Sequence, residues 1–356
     1  MGGDLKIRLS LDSIYRWVPT LGLMGVELFF VLSGFLIGNI LIRTFMKAGE
    51  FSMAAVRNFW VRRWMRTLPV YWLILTVDIV LYRVMGFGGF EPFKFLYYFF
   101  LQNIWYPHPL FFFGEAWSLS IEEWFYITLP IVLYLSARIF KPADKVAFLF
   151  KVFVGYVSFF ILLRFINAFS PAYGADQDAN IRKIVVFRLD AVMYGVLFAW
   201  LSTFRKTLFI TARYYFLAVG IVLTGALYYL LASPVYAITA SPLHAVRFVS
   251  DAFLYALIPL SLSLFLPFAN NIQEIRSKRL LRSIQHISKI SYSIYLVHYS
   301  LVYIPFFYRV PLTVTAPATV CGLYLLYWAI VIVLASLLYR FFELPILQWR
   351  DRVAKG

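Results

Sequence analysis

Apolar residues in this chain arrive in successive blocks of about 20, the length a helix needs to cross a hydrocarbon core of roughly 30 Å. Nine such blocks are read, near residues 21–43, 68–86, 117–137, 147–168, 184–203, 212–232, 248–268, 287–307 and 317–339. This pattern decides the fold class. Lipid offers no partner to a bare peptide group, so spanning backbone must be helical or close into a barrel. Barrel strands would alternate in polarity over about 10 residues, and no such alternation occurs here. The expectation is an all-α polytopic membrane protein with about nine transmembrane helices. Composition agrees: 62% of the residues are hydrophobic and 14% charged, against about 25% charged in soluble domains. The segment 93–106, FKFLYYFFLQNIWY, is short and aromatic, and reads as an interfacial or re-entrant piece. The chain reads as a single membrane domain over residues 1–356, without a soluble domain, repeat or low-complexity tail.

The formal net charge is +16. A basic excess can serve nucleic-acid binding, but these cations flank apolar blocks, so they read as topology signals and no nucleic-acid partner is expected. Every second loop is rich in them. Arg43, Lys47, Arg57, Arg62, Arg63 and Arg66 follow the first block; Arg138, Lys141 and Lys145, then Arg205, Lys206 and Arg213, then Arg276, Lys278, Arg279, Arg282 and Lys289 follow at alternate loops. The rule that positive loops stay inside places these loops and the tail 340–356 in the cytoplasm. It leaves residues 1–20 as an external segment. That segment is mostly polar and has no leader to export it, so a further helix upstream of Met1 would account for the topology more simply. Cys321 is the only cysteine and lies in an apolar block, where a thiol is ordinarily a packing group. His108, His244, His286 and His298 are scattered, without metal-ligand spacing. No metal and no bound cofactor is expected.

An ionisable group at mid-membrane costs at least about 2.5–3.5 kcal/mol, so it faces protein or water. Asp78, Glu122, Glu123, Arg164, Arg188, Asp190, Asp251 and His298 all fall in or at the edge of blocks. Asp78, Arg164 and Asp251 fit either internal ion pairs that fix helix register or functional groups. Glu122 and Glu123 are adjacent, about 100° apart on a helix, so they cannot share one partner face and at least one should point inward. Adjacent acids also push one pKa upward, which suits proton handling; near a helix N-terminus they also suit capping. Arg62, Arg63 and Arg66 stand at the mouth of the second block, with Arg63 and Arg66 one turn apart on one face. That pair can hold a phosphate or pyrophosphate, or simply anchor the helix. Arg188 and Asp190, two apart, face different ways, and each needs its own partner. Ser291, Tyr295 and His298 fall at i, i+4 and i+7, one polar stripe; the histidine serves either a structural hydrogen bond or chemistry. Gly195 and the Ser33–Gly34 step permit close helix approach. Glu27 sits near the outer end of its block, within reach of solvent.

Taken together, these stretches resemble the membrane acyltransferase-3 family, the O-acetyltransferases that modify polysaccharides and related acceptors. The matching residues are GVELFFVLSGFLI at 25–37, RRWMRTLP at 62–69, WSLSIEEWFY at 117–126, FRLDAVMYG at 187–195, SYSIYLVH at 291–298 and FFELP at 341–345. The resemblance implies a ten-helix bundle in the inner (plasma) membrane, an acyl-CoA donor such as acetyl-CoA, and a carbohydrate or lipid-linked acceptor hydroxyl among membrane lipids. On it, Glu122, Glu123 and His298 are the catalytic candidates, and Arg62, Arg63 and Arg66 the donor-binding ones. Ser33, Trp117, Ser118, Arg188, Asp190, Ser291, Tyr295 and Glu343 form a supporting polar network. Members of the family usually begin with a helix carrying an Arg and a His, and this chain starts after that point. Two rival readings stand beside the enzyme: an acyl or lipid-linked sugar transporter or flippase, and an inactive truncated relative.

Overall fold

The computed structural model describes residues 2–47, 51–87, 91–106, 112–169, 178–232, 250–272, 277–307 and 317–353, without the side chains of 2–16, 18, 250, 251, 307, 317, 318 and 353. Among the candidates named above, the side chain of Asp251 and residues His108 and His244 lie outside the described residues. Every regular element described is helical. In chain order the α-helices are α1 (Gly2–Met46), α2 (Met53–Val84), α3 (Ala116–Phe140), α4 (Lys145–Ala168), α5 (Asp190–Phe204), α6 (Lys206–Thr211), α7 (Arg213–Ala232), α8 (Tyr255–Ser263), α9 (Leu266–Asn270), α10 (Lys278–Val297), α11 (Pro317–Leu338) and α12 (Leu344–Val353).

Seven helical stretches among the described residues are long and apolar enough to cross a membrane: Pro19–Met46, Met53–Val84, Ala116–Phe140, Lys145–Ala168, Arg213–Ala232, Ala252–Asn270 and Thr319–Arg352. They cover seven of the nine expected spans, and the protein is an all-α polytopic membrane protein. The other two blocks are also helical but differ in kind. Block 184–203 becomes a 3-10 turn, Val185–Phe187, followed by the 15-residue α5, which is about 22 Å long at 1.5 Å per residue. Block 287–307 is the end of α10 continued by wide π-helical turns, His298–Phe307. The N-terminal segment, from Gly2 on, is continuous with the first span in α1. The tail is likewise helical: a π-turn, Tyr339–Glu343, joins α11 to α12. Cys321 is exposed on α11 rather than packed.

The chain divides into two compact units: Met1–Met53 with Ile104–Pro107 and Ile121–Gln273, and Ala54–Asn103 with His108–Ser120 and Glu274–Gly356. In the first unit α5 is the core. Asp190 through Val196, then Phe198, Ala199 and Trp200, are all buried, so this helix is apolar all round because it is enclosed. Helices α1, α4 and α8 pack against it. Its approach to α1 is as close as backbone allows. A Cβ added at Gly34 would stand 1.9 Å from the Val192 carbonyl oxygen, and one at Gly195 would stand 2.0 Å from the Val31 oxygen. Small residues let helices meet in this way in lipid, where dispersion rather than the hydrophobic effect drives association. By contrast, α7 leaves Val222 72% exposed, a face suited to lipid rather than water.

In the second unit the 3-10 helix Pro92–Phe99 supplies the short aromatic piece expected at 93–106, and ends at Phe100 with φ at 56°. It is tied to α2 by the Tyr71 hydroxyl, which donates to the Tyr97 carbonyl at 2.9 Å. The rings of Tyr71 and Phe100 lie 4.5 Å apart, and those of Tyr97 and Phe112 5.0 Å apart.

The α1–α5 contact makes a direct prediction. Gly195→Val meets backbone that no rotamer change can clear, so it should destabilise the first unit by about 3 kcal/mol, the upper end of overpacking costs. Gly225→Ala, at a position with nothing within 4 Å, should be neutral or mildly stabilising. Thermal unfolding in detergent reads both; equal melting of Gly195→Val and the parent would refute the close approach.

Candidate functional site

The first unit buries two guanidinium–carboxylate pairs. Arg164 on α4 meets Asp190, the first residue of α5, with Nη1–Oδ1 and Nη2–Oδ2 both 2.7 Å. Its Nη1 also donates to the Phe187 carbonyl at 2.5 Å and its Nε to that of Ala252 at 3.2 Å. Arg188 Nη2 reaches both oxygens of Glu27 at 2.5 Å. Arg188 Nη1 donates to the Tyr255 carbonyl, and the guanidinium stands 5.1 Å from the Tyr255 ring. All four charged side chains are fully buried. The two-residue spacing of Arg188 and Asp190 does send them to separate partners, as expected. Glu27 corrects the sequence reading: it is shut away from solvent, because its span continues past it and Arg188 covers the carboxylate. Arg164 settles as an ion-pair residue. With nearly every donor occupied, these pairs hold α1, α4 and α5 in register, and breaking one leaves an unpartnered buried charge worth about 3–5 kcal/mol.

Glu122 and Glu123 belong to the same unit and are 3% and 4% exposed. The sequence requires only one of them to face inward; both do, because every residue from Ala116 to Glu123 is buried. The Tyr126 and Ser33 hydroxyls are hydrogen-bonded between α3 and α1. Glu122 lies one turn before Tyr126, so it shares that α1-facing side of α3.

The second unit is organised by α10 and the π-turns that extend it. At the α10 end, Tyr292 donates to the Thr67 carbonyl at 2.9 Å and the Ser293 hydroxyl to Glu343 at 2.8 Å. Glu343 is buried and within electrostatic reach of Arg66. Arg350 Nη1 donates to the Arg62 carbonyl at 3.5 Å. Arg62 and Arg66 are exposed and Arg63 half-buried, beside the stacked rings of Trp60 and Trp64, 5.7 Å apart. Farther along, the Tyr295 hydroxyl bonds Ser118 and donates to the Glu115 carbonyl at 3.1 Å. Asn103 donates to the Trp117 carbonyl at 3.0 Å, fixing the buried start of α3. His298 Nδ1 lies 2.7 Å from the Tyr295 carbonyl. A carbonyl can only accept, so Nδ1 carries a proton, and the neutral ring then keeps a lone pair on Nε2.

The expected stripe therefore divides. Tyr295 and His298 belong to this network. Ser291 does not: it is exposed and its hydroxyl donates to Ser288 of its own helix at 3.0 Å. Ser293, two residues on, takes the inward place. Glu115 is the residue the sequence reading missed. Gly114 lets the Tyr299 ring lie so close that a Cβ there would meet it at 2.8 Å, which brings Glu115 against Ser300. The Ser300 hydroxyl donates to Glu115 at 2.8 Å and its amide at 3.4 Å. Asp78, fully buried, stands within electrostatic reach of Glu115. Burial pushes the Glu115 carboxyl up to about 7, and the Ser300 hydrogen bonds oppose that only in part. The available signal was an acid between aromatics directly before a span, in FFFGEAW at 111–117.

Comparison with known proteins gives this geometry a context. The acyltransferase domain family matches residues 3–340. O-acetyltransferase OatA of Staphylococcus aureus is 23% identical over 346 residues, covering 91% of this chain and 52% of that protein. Peptidoglycan O-acetyltransferase OatA of Listeria monocytogenes is 32% identical over 151 residues, covering 38% of this chain and 23% of the relative. The chain thus spans about half the length of the first of these relatives, and less of the second. No solved structure matches.

Two outcomes follow from the site's charges. Asp190→Asn should lower stability by about 3–5 kcal/mol, while the double change Arg164→Leu with Asp190→Leu should cost less than the single one; thermal unfolding that ranks them the other way would contradict the structural role. Glu115 has a folded pKa raised above its unfolded value of 4.5, so its neutral form contributes stability below that value, lost as pH rises through about 7. Glu115→Gln should therefore flatten the melting temperature between about pH 5 and 7.5; an unchanged profile would refute the assignment.

Proposed function

Because the chain belongs to the acyltransferase domain family, we propose that it is a membrane O-acyltransferase moving an acetyl group from a coenzyme A thioester to a hydroxyl of a peptidoglycan-like carbohydrate. The observation that carries this reading is the single helical run from Tyr292 to Ser300. It engages Thr67 of the Arg62–Thr67 segment at one end; at the other it carries His298 between Tyr295, which bonds Ser118, and Ser300, which bonds Glu115. Tyr292 and His298 are six residues apart, about 9 Å along a helix axis. An extended thioester with a phosphate-bearing head spans such a distance.

In this mechanism Arg63 and Arg66 take the donor's phosphates, for which a guanidinium fork is well matched. The stacked Trp60–Trp64 pair offers an aromatic surface next to them. His298 Nε2 removes the acceptor hydroxyl's proton, a step worth about 10²–10⁴-fold. The acceptor oxygen attacks the thioester carbonyl carbon. The tetrahedral intermediate collapses with loss of the thiolate, which takes up a proton, so the products are the ester and free coenzyme A. Tyr295 and Ser118 hold the imidazole's setting, which keeps the ring in a productive orientation. Glu122 and Glu123 are buried acids of one motif, and Glu122 is tested by substitution. In the orientation that the loop charges suggest, with a cytoplasmic tail in the inner membrane, the arginines would face the side where acyl-CoA is found.

The test is acylation of a glycan acceptor by purified protein with labelled acetyl-CoA. His298→Gln should lower kcat by about 10²–10⁴. Arg63→Ala and Arg66→Ala should each raise KM for acetyl-CoA about 10–100-fold, the worth of a hydrogen bond to a charged group. Glu122→Gln should lower kcat. If these variants keep full activity at equal expression, or if acyl groups cross the bilayer without a covalent product, the reading is wrong.

A further inference from the structure

The first unit carries a second polar feature that the acyl-transfer reading does not use. Where α3 ends and α4 begins, Arg138, Lys141 and Lys145 line a cavity of about 360 Å³ with Phe45, Phe51, Ala137 and Pro142. That volume is within the usual range for small-ligand pockets. Among the described residues, no carboxylate pairs with any of the three cations. The nearest acid in sequence, Asp144, is occupied in capping α4, accepting from the amides of Val146 and Ala147 at 2.9 and 3.0 Å. Arg138 is steered by the Tyr134 hydroxyl, to which it donates at 2.8 Å. Lys141 ends α3 with φ at 41°, a left-handed conformation that costs a side-chain-bearing residue energy and tends to persist at ligand clamps. Phe45 packs against Phe51 and Phe148, with ring centres 5.3 and 5.9 Å apart, so one wall is apolar and braced. Directly beside the cations, Ile139 and Phe140 are each 72% exposed, as suits the hydrocarbon boundary.

A site that is cationic at one end and opens on lipid-facing apolar side chains fits an amphiphile with an anionic head. We propose that this cavity binds the phosphate headgroup of an anionic phospholipid, with Arg138, Lys141 and Lys145 around the phosphate and the acyl chains running over Ile139 and Leu135. The arrangement is that of juxtamembrane basic residues that recognise anionic headgroups, here gathered into a pocket. It stands independently of the acyl-transfer reading, since its cations are not the arginines assigned to the donor.

Native mass spectrometry of the purified full chain tests this, titrating phosphatidylglycerol against phosphatidylcholine. The parent protein should retain phosphatidylglycerol in preference, and the preference should fall as salt rises. Each basic group near an anionic surface strengthens binding about fivefold, so the variant Arg138→Gln, Lys141→Gln, Lys145→Gln should bind on the order of a hundredfold more weakly. The charge-preserving variant Arg138→Lys, Lys141→Arg, Lys145→Arg should keep the preference. Equal retention of the two lipids by the parent overturns the proposal, whether or not the neutral variant folds. So does undiminished binding by a folded neutral variant. Displacement of phosphatidylglycerol by coenzyme A or inorganic phosphate would also overturn it, by assigning the cavity to a soluble phosphate.

Discussion

A guanidinium placed in an apolar bundle without a counter-charge costs several kcal/mol, and this requirement for partners shapes the first unit. Arg164 enters from α4 and Arg188 from the turn just before α5, and each finds a carboxylate whose two oxygens it engages. Because Asp190 begins α5 and Arg188 lies just before it, the two pairs fix where that helix starts. Once its start is fixed, Gly34 and Gly195 can be as close as they are. A shift of one residue would put a side chain where a carbonyl oxygen now lies. Hydrophobicity puts the chain in the membrane; the ion pairs choose one packing among the many that lipid would tolerate.

The second unit follows a different logic. Its polar groups lie along one helical run that widens at His298, and each takes part in a hydrogen bond that sets its neighbour. Ser293 holds Glu343, Tyr295 holds Ser118, and Ser300 holds Glu115. The wide turns matter because they break the regular helical period. They carry Ser300 to the Glu115 carboxyl while His298 still reaches the Tyr295 carbonyl. Such π-helical insertions often mark functional sites.

Much of this was legible in the sequence, and for physical reasons. Block length against bilayer thickness predicted seven spans that the structure has. The spacing of Arg188 and Asp190 foretold separate partners, and Gly34 and Gly195 a close crossing. What was hidden depended on tertiary placement. Glu27 looked solvent-accessible because its partner lies 161 positions away. Ser291 falls on the same spacing as Tyr295 and His298, but it sits at the exposed edge of that stripe and bonds Ser288 of its own helix, a difference that spacing alone does not reveal. Glu115 was passed over because its role comes from Gly114, whose missing side chain admits a tyrosine ring. The block 184–203 has the pattern of an ordinary span, yet it holds a short helix buried over most of its length from Asp190 to Trp200, which an apolar pattern cannot distinguish from one facing lipid.

His298 presents an Nε2 lone pair because its Nδ1 proton is held by the Tyr295 carbonyl. The protein has four histidines, so ¹⁵N NMR of histidine-labelled protein, with His298→Gln to assign the signal, can read this ring directly at neutral pH. The expected signal is that of a neutral imidazole with Nδ1 protonated and Nε2 bare. A ring protonated on Nε2 alone, or on both nitrogens, would contradict it.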